Sequence, residues 1–561
     1  MAIRLGEILV DEKIITQEQL DEALKEHERT GDFLGQILIR RGFIGEGQLA
    51  RTLSQQMGVP YLNLKEVPID EALTRRVPAK LVWHYKIMPI KLDGNVLTVA
   101  ISNPFDMWPL DDIEVNLGFR VERVLSTPSD ITQAIKKYYG VGAETIESIL
   151  EQQPTVVHET SLKERTEDIE KRAEDVSVIT LVNQILHQAI KEGATDIHIE
   201  PSKNELSLRN RVDGILYDTA VSEDIRYLYP SIVSRIKIMA GLDIVEKRLP
   251  QDGRARVKLG NEEFDLRVSV LPSVYGENVV IRILPTTMLF SLEKLGLLHE
   301  DLKKLKELIS KPHGIIFLTG PTGSGKTTTL YAALSTLNTS ETKIITIEDP
   351  VEYELRRIHQ IQVSTKIDLT FARALRSMLR HDPDIMMVGE VRDFETAEIA
   401  IQAALTGHLV FSTLHTNDAS SGATRLLDMG VEPYLVASSV EAFIAQRLVR
   451  VICSHCKESY QLAPELRAFM EPKSSEICMV YRGKGCEMCR HTGYKGRTAI
   501  YEILTASTPI RQLIMTKASS DEIKQKAISL GMRTLKDDGW EKVKKGITTL
   551  EEVMRVTKIT E

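Results

Sequence analysis

A glycine-rich stretch that ends in lysine and threonine carries the clearest chemistry in this sequence. Residues 320–327 fit the phosphate-binding pattern G-x-x-x-x-G-K-[ST] at every fixed position. The apolar segment before it predicts a buried strand, and the segment after it predicts a helix. Glycines let backbone N–H groups surround phosphate oxygens, and the helix N-terminus adds a positive dipole. The alternative, a turn without a ligand, is disfavoured because strand, loop, lysine and helix are all present. The predicted ATP-binding residues are Gly320, Pro321, Thr322, Gly323, Ser324, Gly325, Lys326, Thr327 and Thr328.

Four side chains in and after this loop have roles that phosphoryl transfer requires. Lys326 can place its charge on the γ-phosphate, and the Thr327 hydroxyl can ligate Mg²⁺. The apolar segment that starts at residue 344 predicts a strand ending in the carboxylates of Glu348 and Asp349. Ligands bind at the carboxyl edge of an α/β sheet, so these two carboxylates could hold Mg²⁺ through water.

Two further predicted strands deliver polar side chains to the same edge. Residues 384–390 end in Glu390, which we predict to orient or deprotonate the attacking water. Residues 407–419 contain His415, which could contact the γ-phosphate and report its loss. A single histidine is more often structural, and the functional interpretation here depends on the whole polar block.

Four of the five cysteines form two C-x-x-C pairs. In a protein of the reducing cytosol this arrangement favours metal over disulfides. Each pair can supply two thiolates to one tetrahedral edge, which predicts a closed structural site with no open position for catalysis. Free thiols or a redox pair are the alternatives. The predicted zinc ligands are Cys453, Cys456, Cys486 and Cys489.

Several arginines lie on predicted strands ahead of the phosphate loop. Alternation places Arg267 and Arg282 each on one face of a strand, and Arg254 follows a Gln-Asp-Gly turn. A sheet that presents arginines beside a nucleotide domain suggests side chains that neutralise γ-phosphate charge across a subunit boundary. The alternative for any one of them is a solvated basic face.

The chain begins with an internal repeat of about 29 residues, in which each unit predicts two short helices around a turn. The block Arg4-Leu5-Gly6 is echoed by Phe33-Leu34-Gly35. Two copies are too few for a solenoid, so we expect them to pack on each other or on the next segment. Arg4 could stack on a base or pair with a phosphate; alternatively, the repeated leucines form only a helix-packing core.

Length, composition and net charge exclude several classes of protein. The 561 residues are too many for one core, and the chain is 42% hydrophobic and 27% charged with a net charge of −8. The acidic balance and the lack of a basic, aromatic-rich groove argue against a nucleic-acid motor. No apolar run is long enough to span a membrane, and the first residues lack the apolar core of a signal peptide. We therefore expect a cytoplasmic protein, peripheral at the inner membrane, whose membrane contact comes only through partners.

The phosphate loop, the two carboxylate-bearing strands and the histidine block together closely resemble the secretion superfamily ATPases, where they form the Walker A, Asp box, Walker B and His box motifs. The resemblance covers essentially the whole chain. It implies a multidomain α/β fold with a RecA-like P-loop motor core, a PAS-like α+β middle domain that bears the arginines, and a Cys₄ zinc-binding insert. It also implies a homohexameric ring that binds nucleotide between two ATPase subdomains.

The N-terminal repeat is similar to the domain of pilus and type II secretion ATPases that binds cyclic di-GMP. In that family the dinucleotide lies along the two repeats, and glutamine is usual where this sequence has His27. The positions that match are Arg4, Leu5, Gly6, Leu20, Leu24, Leu34, Gly35, Leu49 and Leu53, and His27 is a further candidate contact because it can still hydrogen-bond a base edge.

The cysteine pairs and the long N-terminal region favour one branch of this family, the type IV pilus assembly ATPases of the PilB type. This resemblance implies ATP, Mg²⁺ and Zn²⁺ as cofactors, and an inner-membrane platform protein as partner. A type II secretion ATPase is the close alternative, and an adaptor that binds nucleotide without turnover is another, against which Glu390 argues.

The predicted regions are 1–140 (regulatory, with a small α+β domain after the repeat), 141–175 (linker), 176–290 (middle domain), 291–450 (ATPase domain), 451–495 (zinc insert) and 496–561 (helical segment).

Overall fold

The computed structural model describes residues 5–105, 108–152, 175–286, 290–461 and 479–557. The chain divides into two compact units, Met1–Thr286 and Thr287–Glu561. Both contain helices and strands, as the sequence predicts for a mixed α/β protein. None of the helices within the described ranges is long and apolar enough to cross a membrane.

The first unit opens with the repeated helix pair. Its helices are α1 (Leu5–Asp11), α2 (Gln17–Thr30), α3 (Leu34–Arg40) and α4 (Glu46–Met57). Glycine lets each short helix approach its partner closely: a Cβ on Gly6 would lie 2.6 Å from Leu20 Cδ1, and one on Gly35 would lie 2.8 Å from Leu49 Cδ2. The two copies thus use the same glycine–leucine contact, and they share one core around Leu9, Ile37 and Leu38.

A small α+β layer follows the repeat. Its elements are α5 (Ala79–Tyr85), β1 (Met88–Asp93), β2 (Val96–Ile101), α6 (Trp108–Leu117), β3 (Arg120–Leu125) and α7 (Pro128–Tyr138). The sheet order is β1-β2-β3, with β1 antiparallel and β3 parallel to β2. The predicted partly helical linker, residues 141–175, begins with a packed helix, α8 (Ala143–Gln152). Ile146 and Ile149 of α8 lie in the core of the next domain, because their three-residue spacing puts both on one helix face; residues 153–174 lie outside the described ranges.

The middle domain is an antiparallel sheet covered by two helices. The helices are α9 (Val176–Lys191) and α10 (Ile225–Met239), and the strands are β4 (Ala194–Pro201), β5 (Leu206–Val212), β6 (Ile215–Asp218), β7 (Gln251–Leu259), β8 (Glu262–Ser273) and β9 (Gly276–Pro285). The strand order is β6-β5-β4-β9-β8-β7. Strand β8 alternates buried and exposed residues, so one face packs on the core and the other carries polar side chains.

The second unit is built on a seven-stranded sheet. Its strands are β10 (Gly314–Thr319), β11 (Ile344–Glu348), β12 (His359–Gln362), β13 (Ile385–Val388), β14 (Leu409–Leu414), β15 (Val440–Ile452) and β18 (Tyr494–Thr505). The order is β12-β11-β13-β14-β10-β15-β18, and every neighbouring pair is parallel except β15 with β18. The helices of this layer are α11 (His299–Ile309), α12 (Lys326–Leu337), α13 (Phe371–Met378), α14 (Phe394–Leu405), α15 (Ser420–Asp428) and α16 (Pro433–Ser439). Strands β10, β11, β13 and β14 are fully buried, as central parallel strands covered on both faces should be.

The C-terminal region corrects one prediction. Residues 496–561 were expected to be helical, but they begin in β18, the last strand of the large sheet. The described helices that follow are α17 (Thr508–Met515), α18 (Ser520–Ser529), α19 (Leu535–Lys544) and α20 (Leu550–Thr557). The cysteine-bearing insert between β15 and β18 contains a two-stranded ribbon of β16 (Lys457–Gln461) and β17 (Met479–Gly483).

Candidate functional site

The glycine-rich loop joins β10 to α12 at the carboxyl edge of the sheet. Gly320 has φ +147° and Gly325 has φ +89°, a backbone conformation that other residues rarely adopt. A Cβ on Gly320 would lie 2.7 Å from Gln446 O, and one on Gly325 would lie 2.7 Å from Gln446 Nε2. Glycine is therefore required twice over, by backbone conformation and by the close approach of β15. Ser324 is buried here and its Oγ has no hydrogen-bond partner among the described residues.

The lysine of this loop folds back on the loop itself. Lys326 Nζ donates to Gly320 O at 2.7 Å and to Pro321 O at 3.1 Å. Burial lowers the pKa of Lys326 to about 8; the nearby charge of Arg447 also lowers it, and Glu390 acts in the opposite direction. The ammonium thus lies within the loop, available to a phosphate that would replace these carbonyl partners.

Glu390 and His415 come together as the sequence predicts. Strands β13 and β14 are parallel neighbours, so the residues that follow them meet at one edge. His415 Nε2 lies 3.1 Å from Glu390 Oε2, and Arg392 Nη2 lies 2.6 Å from Glu390 Oε1. The carboxylate is 13% exposed, so these contacts hold a mostly buried carboxylate. Sequence analysis did not single out Arg392, although it lies two residues beyond the predicted base.

Glu348 occupies a buried polar cluster, while Asp349 beyond it is exposed. The carboxylate of Glu348 accepts hydrogen bonds from Thr346 Oγ1 at 2.6 Å, from Gln360 Nε2 at 3.2 Å and from the hydroxyl of Tyr331. Burial raises the pKa of Glu348, and these hydrogen bonds offset only part of that rise. Tyr331 lies on α12, so the cluster connects the helix of the phosphate loop to β11. Neither Tyr331 nor Gln360 was predicted from the sequence.

Four of the predicted loop residues are exposed. Pro321, Thr322 and Gly323 are exposed on the loop, and Thr327 is exposed on the first turn of α12. Thr327 can therefore meet Mg²⁺, which is the role predicted for it. With Lys326, Glu390 and His415, the carboxyl edge of the second unit has the groups that ATP hydrolysis needs.

The four cysteines converge into one cluster. Cys453 Sγ lies 3.8 Å from Cys486 Sγ, and Cys489 Sγ lies 3.7 Å from both Cys456 Sγ and Cys486 Sγ. A tetrahedral zinc ion with Zn–S bonds of about 2.3 Å requires S···S edges of about 3.8 Å. Burial raises the pKa of Cys489, but N–H donors of Cys486 and Gly493 outweigh it and lower the value to about 7. The donor set and its spacing fit Zn²⁺.

The three predicted arginines form a row in the first unit. In the sheet register Arg254 opposes Arg267, and Arg267 opposes Arg282. Like charges directly opposite each other are destabilising, so the row favours an anion. At one end, Arg282 Nε binds Asp196 Oδ1 at 3.1 Å, and Asp196 is also 3.9 Å from Arg211 Nε. Arg211 extends the row and was not among the predicted site residues.

The cyclic di-GMP candidates are partly core and partly surface. Gly6, Leu20 and Gly35 are buried, whereas Leu24 is 39% exposed. The exposed His27 has its Nδ1 2.5 Å from Asp32 O, so one of its two ring nitrogens is already engaged at the end of α2. The other candidates that are half-buried are Leu5, Leu34, Leu49 and Leu53. Arg4 lies outside the described residues.

Comparison with known proteins extends over the whole chain. The family model described as "Type II/IV secretion system protein" matches residues 171–555, and that of the "MshEN domain" matches residues 57–145. The chain is 44% identical over 562 residues to the type IV pilus assembly ATPase PilB of Myxococcus xanthus, covering 99% of each chain. It is 41% identical over 564 residues to the type II secretion system protein E of Xanthomonas campestris, covering 99% of this chain and 98% of the relative. Among solved structures, the ATPase DotB of Legionella pneumophila shares the fold, with a TM-score of 0.51 and 23% identity over 68% of this chain and 95% of that one.

Proposed function

The chain is an ATPase of the Type II/IV secretion system protein family, and from this premise we propose that it powers the assembly of type IV pili. The observation that carries the proposal is the similarity to a pilus assembly ATPase along the whole chain, including the N-terminal region before the family match. Work on pilins would pass through an inner-membrane platform protein, since none of the described helices could itself span a membrane. A type II secretion ATPase is the less favoured assignment.

Hydrolysis would follow from groups at the carboxyl edge of the second unit. Lys326 and the loop amides would bind the phosphates, and Mg²⁺ held by Thr327 would neutralise charge on them. Glu390 would take a proton from water while the water oxygen forms a bond to the γ-phosphorus. The bond between the γ-phosphorus and the oxygen that it shares with the β-phosphate would break, releasing ADP and inorganic phosphate. His415, 3.1 Å from Glu390, would orient this carboxylate and sense the γ-phosphate.

The Glu390→Gln variant tests this assignment. We expect kcat for ATP hydrolysis to fall by about a hundredfold or more, with nucleotide still bound, because the base is lost and the shape is kept. Glu395→Gln is the matched control, since Glu395 is an exposed carboxylate paired with Arg376 on the surface of the same unit. Unchanged kcat in Glu390→Gln would show that another group activates the water.

The arginine row would act between subunits of a homohexamer. Arg254, Arg267 and Arg282 lie side by side, and such a row could neutralise the γ-phosphate of a neighbouring subunit. Mixing two inactive variants, Arg267→Gln and Lys326→Ala, tests this. If arginine acts in trans, mixed rings regain activity, because a Lys326→Ala subunit supplies Arg267 to the intact phosphate loop of its neighbour. If it acts within one subunit, the mixture stays inactive.

The N-terminal repeat would bind cyclic di-GMP and adjust ATPase activity. Support comes from the resemblance of the repeat and from its two equivalent glycine–leucine contacts; the MshEN match begins at residue 57, after most of the repeat. Titration of the full chain with labelled cyclic di-GMP, with Leu24→Asp as variant, tests the proposal. Saturable binding that Leu24→Asp removes supports a sensor, and absence of binding leaves the repeat as a packing or docking module.

The machine that the ATPase serves is tested by genetic replacement. In a host that lacks its own pilus assembly ATPase, the intact chain should restore surface pili, and Glu390→Gln should not. Restoration of protein secretion in a host that lacks its type II secretion ATPase, without pili in the first host, would instead favour the alternative.

A further inference from the structure

A buried arginine lies behind the phosphate loop, outside the motifs identified above. Arg447 belongs to β15 and is 6% exposed. Its Nη1 lies 3.0 Å from the position that a Cβ on Gly320 would occupy, so the guanidinium fills the space that this glycine leaves. Because β15 pairs with β10 up to Thr319, the strand places Arg447 directly beside the start of the loop.

The guanidinium is bound to backbone carbonyls on both sides. Nη1 donates to Gln446 O at 3.0 Å, and Nη2 donates to Asn417 O at 2.6 Å. Asn417 lies two residues after His415, in the segment that follows β14. Arg447 therefore connects the strand beneath the phosphate loop to the segment that carries the predicted phosphate-sensing histidine.

No carboxylate within the described residues lies at ion-pair distance from Arg447. The two acidic groups whose charges act on Arg447 are engaged elsewhere: Asp418 binds Lys524 Nζ at 3.1 Å, and Glu502 accepts from the N–H of Ala419 at 2.9 Å. A buried cation without a paired anion costs free energy, and burial lowers the pKa of Arg447 accordingly. The planar, two-pronged donor geometry of arginine explains its presence, because it spans two carbonyls that a shorter or single donor would not bridge.

A second contact joins the same two segments. Thr319 Oγ1, at the end of β10, donates to Asp418 O at 3.2 Å, and Gly320 N donates to Leu414 O at 3.3 Å. The phosphate loop and the His415 segment are thus joined by these hydrogen bonds, and Arg447 adds a charged donor from β15 to Asn417 of the same segment.

We propose that Arg447 is a positioning residue of the ATPase site, which sets the His415 segment against the phosphate loop. It acts through His415 and touches no reacting atom. The inference rests on the proposed ATP site, and it adds that hydrolysis depends on a residue of β15 that belongs to none of the four family motifs.

The test is the steady-state kinetics of Arg447→Gln and Arg447→Lys in the full chain. For Arg447→Gln we expect kcat to fall about tenfold to hundredfold, the loss typical of one hydrogen bond from a charged group, with the dissociation constant of Mg-ADP within about threefold of its original value. ADP has no γ-phosphate to sense, so its binding should not need the His415 segment. Arg447→Lys keeps the charge and can reach one carbonyl, so its kcat should be intermediate.

A double-mutant cycle with His415→Ala separates positioning from a general loss of structure. If Arg447 acts through His415, Arg447→Gln should lower kcat far less in the His415→Ala background than in the original chain. Arg450→Gln is the matched control: the residue lies on the same strand and pairs with Glu552 at 2.7 Å, so its loss should lower stability and leave kcat unchanged.

Each result bears on the proposal. A folded Arg447→Gln with unchanged kcat overturns it, and so does a loss that is fully additive with His415→Ala. If Arg447→Gln does not fold, the same cycle with Arg447→Lys decides by the same criteria. Lys326→Ala and Glu390→Gln are measured alongside: if they keep activity, the proposed ATP site is wrong, whereas if they lose it and Arg447→Gln does not, only this inference fails.

Discussion

Removing one hydroxyl from Tyr331 should cost far more stability than the same change at Tyr501. Both tyrosines are fully buried and both hydroxyls contact groups around α12. The Tyr331 hydroxyl donates to the carboxylate of Glu348, and it accepts from the N–H of Glu352 at 3.3 Å. The Tyr501 hydroxyl reaches Thr329 Oγ1 and Leu295 O only at 3.4 Å each, which is longer than an ordinary O–H···O bond.

The magnitudes follow from these partners. A hydrogen bond to a charged group contributes about 1.5–3 kcal/mol, and its loss from Tyr331→Phe leaves a buried carboxylate short of one donor. Tyr501→Phe loses only weak contacts between neutral groups, so its free energy of unfolding should fall by no more than about 0.5 kcal/mol. The two variants have the same change in shape, so the difference of about 1–2.5 kcal/mol isolates the carboxylate contact.

The difference should also depend on pH. Burial raises the pKa of Glu348, and the Tyr331 hydroxyl favours its ionised form. The cost of Tyr331→Phe should therefore be full above the raised pKa of Glu348 and should shrink as the pH falls through it, because a protonated carboxyl no longer needs that donor. The cost of Tyr501→Phe should stay constant over the same range.

Hydrogen exchange measured by mass spectrometry in the full chain is the suitable assay. Peptides that cover Lys326–Leu337 and Ile344–Glu348 report the free energy of opening around Glu348. Equal costs for the two variants, or a Tyr331→Phe cost that does not change with pH, would refute the view that Glu348 is held as a buried carboxylate by this hydroxyl.

The remaining predictions concern the metal cluster and the helical repeat. Elemental analysis should find one zinc ion per chain and none in the double variant Cys486→Ser/Cys489→Ser. An unchanged zinc content in this variant would contradict the Cys₄ assignment. Gly35→Ala should destabilise the repeat by about 1–3 kcal/mol, because its Cβ would meet Leu49 at 2.8 Å. Gly47→Ala is the control on α4, where the nearest atom would be 3.9 Å away; it should be neutral or slightly stabilising in thermal denaturation, and a similar loss in both variants would contradict the packing argument.

The phosphate loop and its edge were predictable because each depends on local pattern and on one rule of parallel sheets. A buried strand, a glycine-rich loop and a helix are contiguous in sequence, and carboxyl ends of parallel strands must share an edge. The approach of Glu390 to His415, 3.1 Å apart, follows from that rule alone.

The site residues that the sequence did not reveal are those whose contacts join segments far apart in the chain. Gln446 and Arg447 meet the phosphate loop only because β15 pairs with β10 in a particular register. Tyr331 and Gln360 have no pattern that marks them as partners of Glu348. The row of arginines likewise required the register of β7, β8 and β9, since alternation fixes the face of a strand and not the residue opposite.

The one misassigned segment, which begins in β18, has a physical reason. Strand β18 is buried on both faces over residues 499–504, so it lacks the alternation that distinguishes a strand from a buried helix. Helix α8 lies in a charge-rich stretch whose few apolar residues nevertheless occur at helical spacing. The sequence predicts a partly helical linker there, and α8 is its helical part within the described residues.

The long strand β15 has a mechanical consequence. It runs beside the phosphate loop at Arg447 and reaches the cysteine cluster six residues later, at Cys453. A paired strand extends about 3.3 Å per residue, so the two sites are about 20 Å apart along one ribbon held by its ladder with β18. Such a ribbon does not stretch. A load applied at the cysteine-bearing insert would therefore reach the strand behind the phosphate loop through β15, and any movement of that strand would reach the insert along the same path.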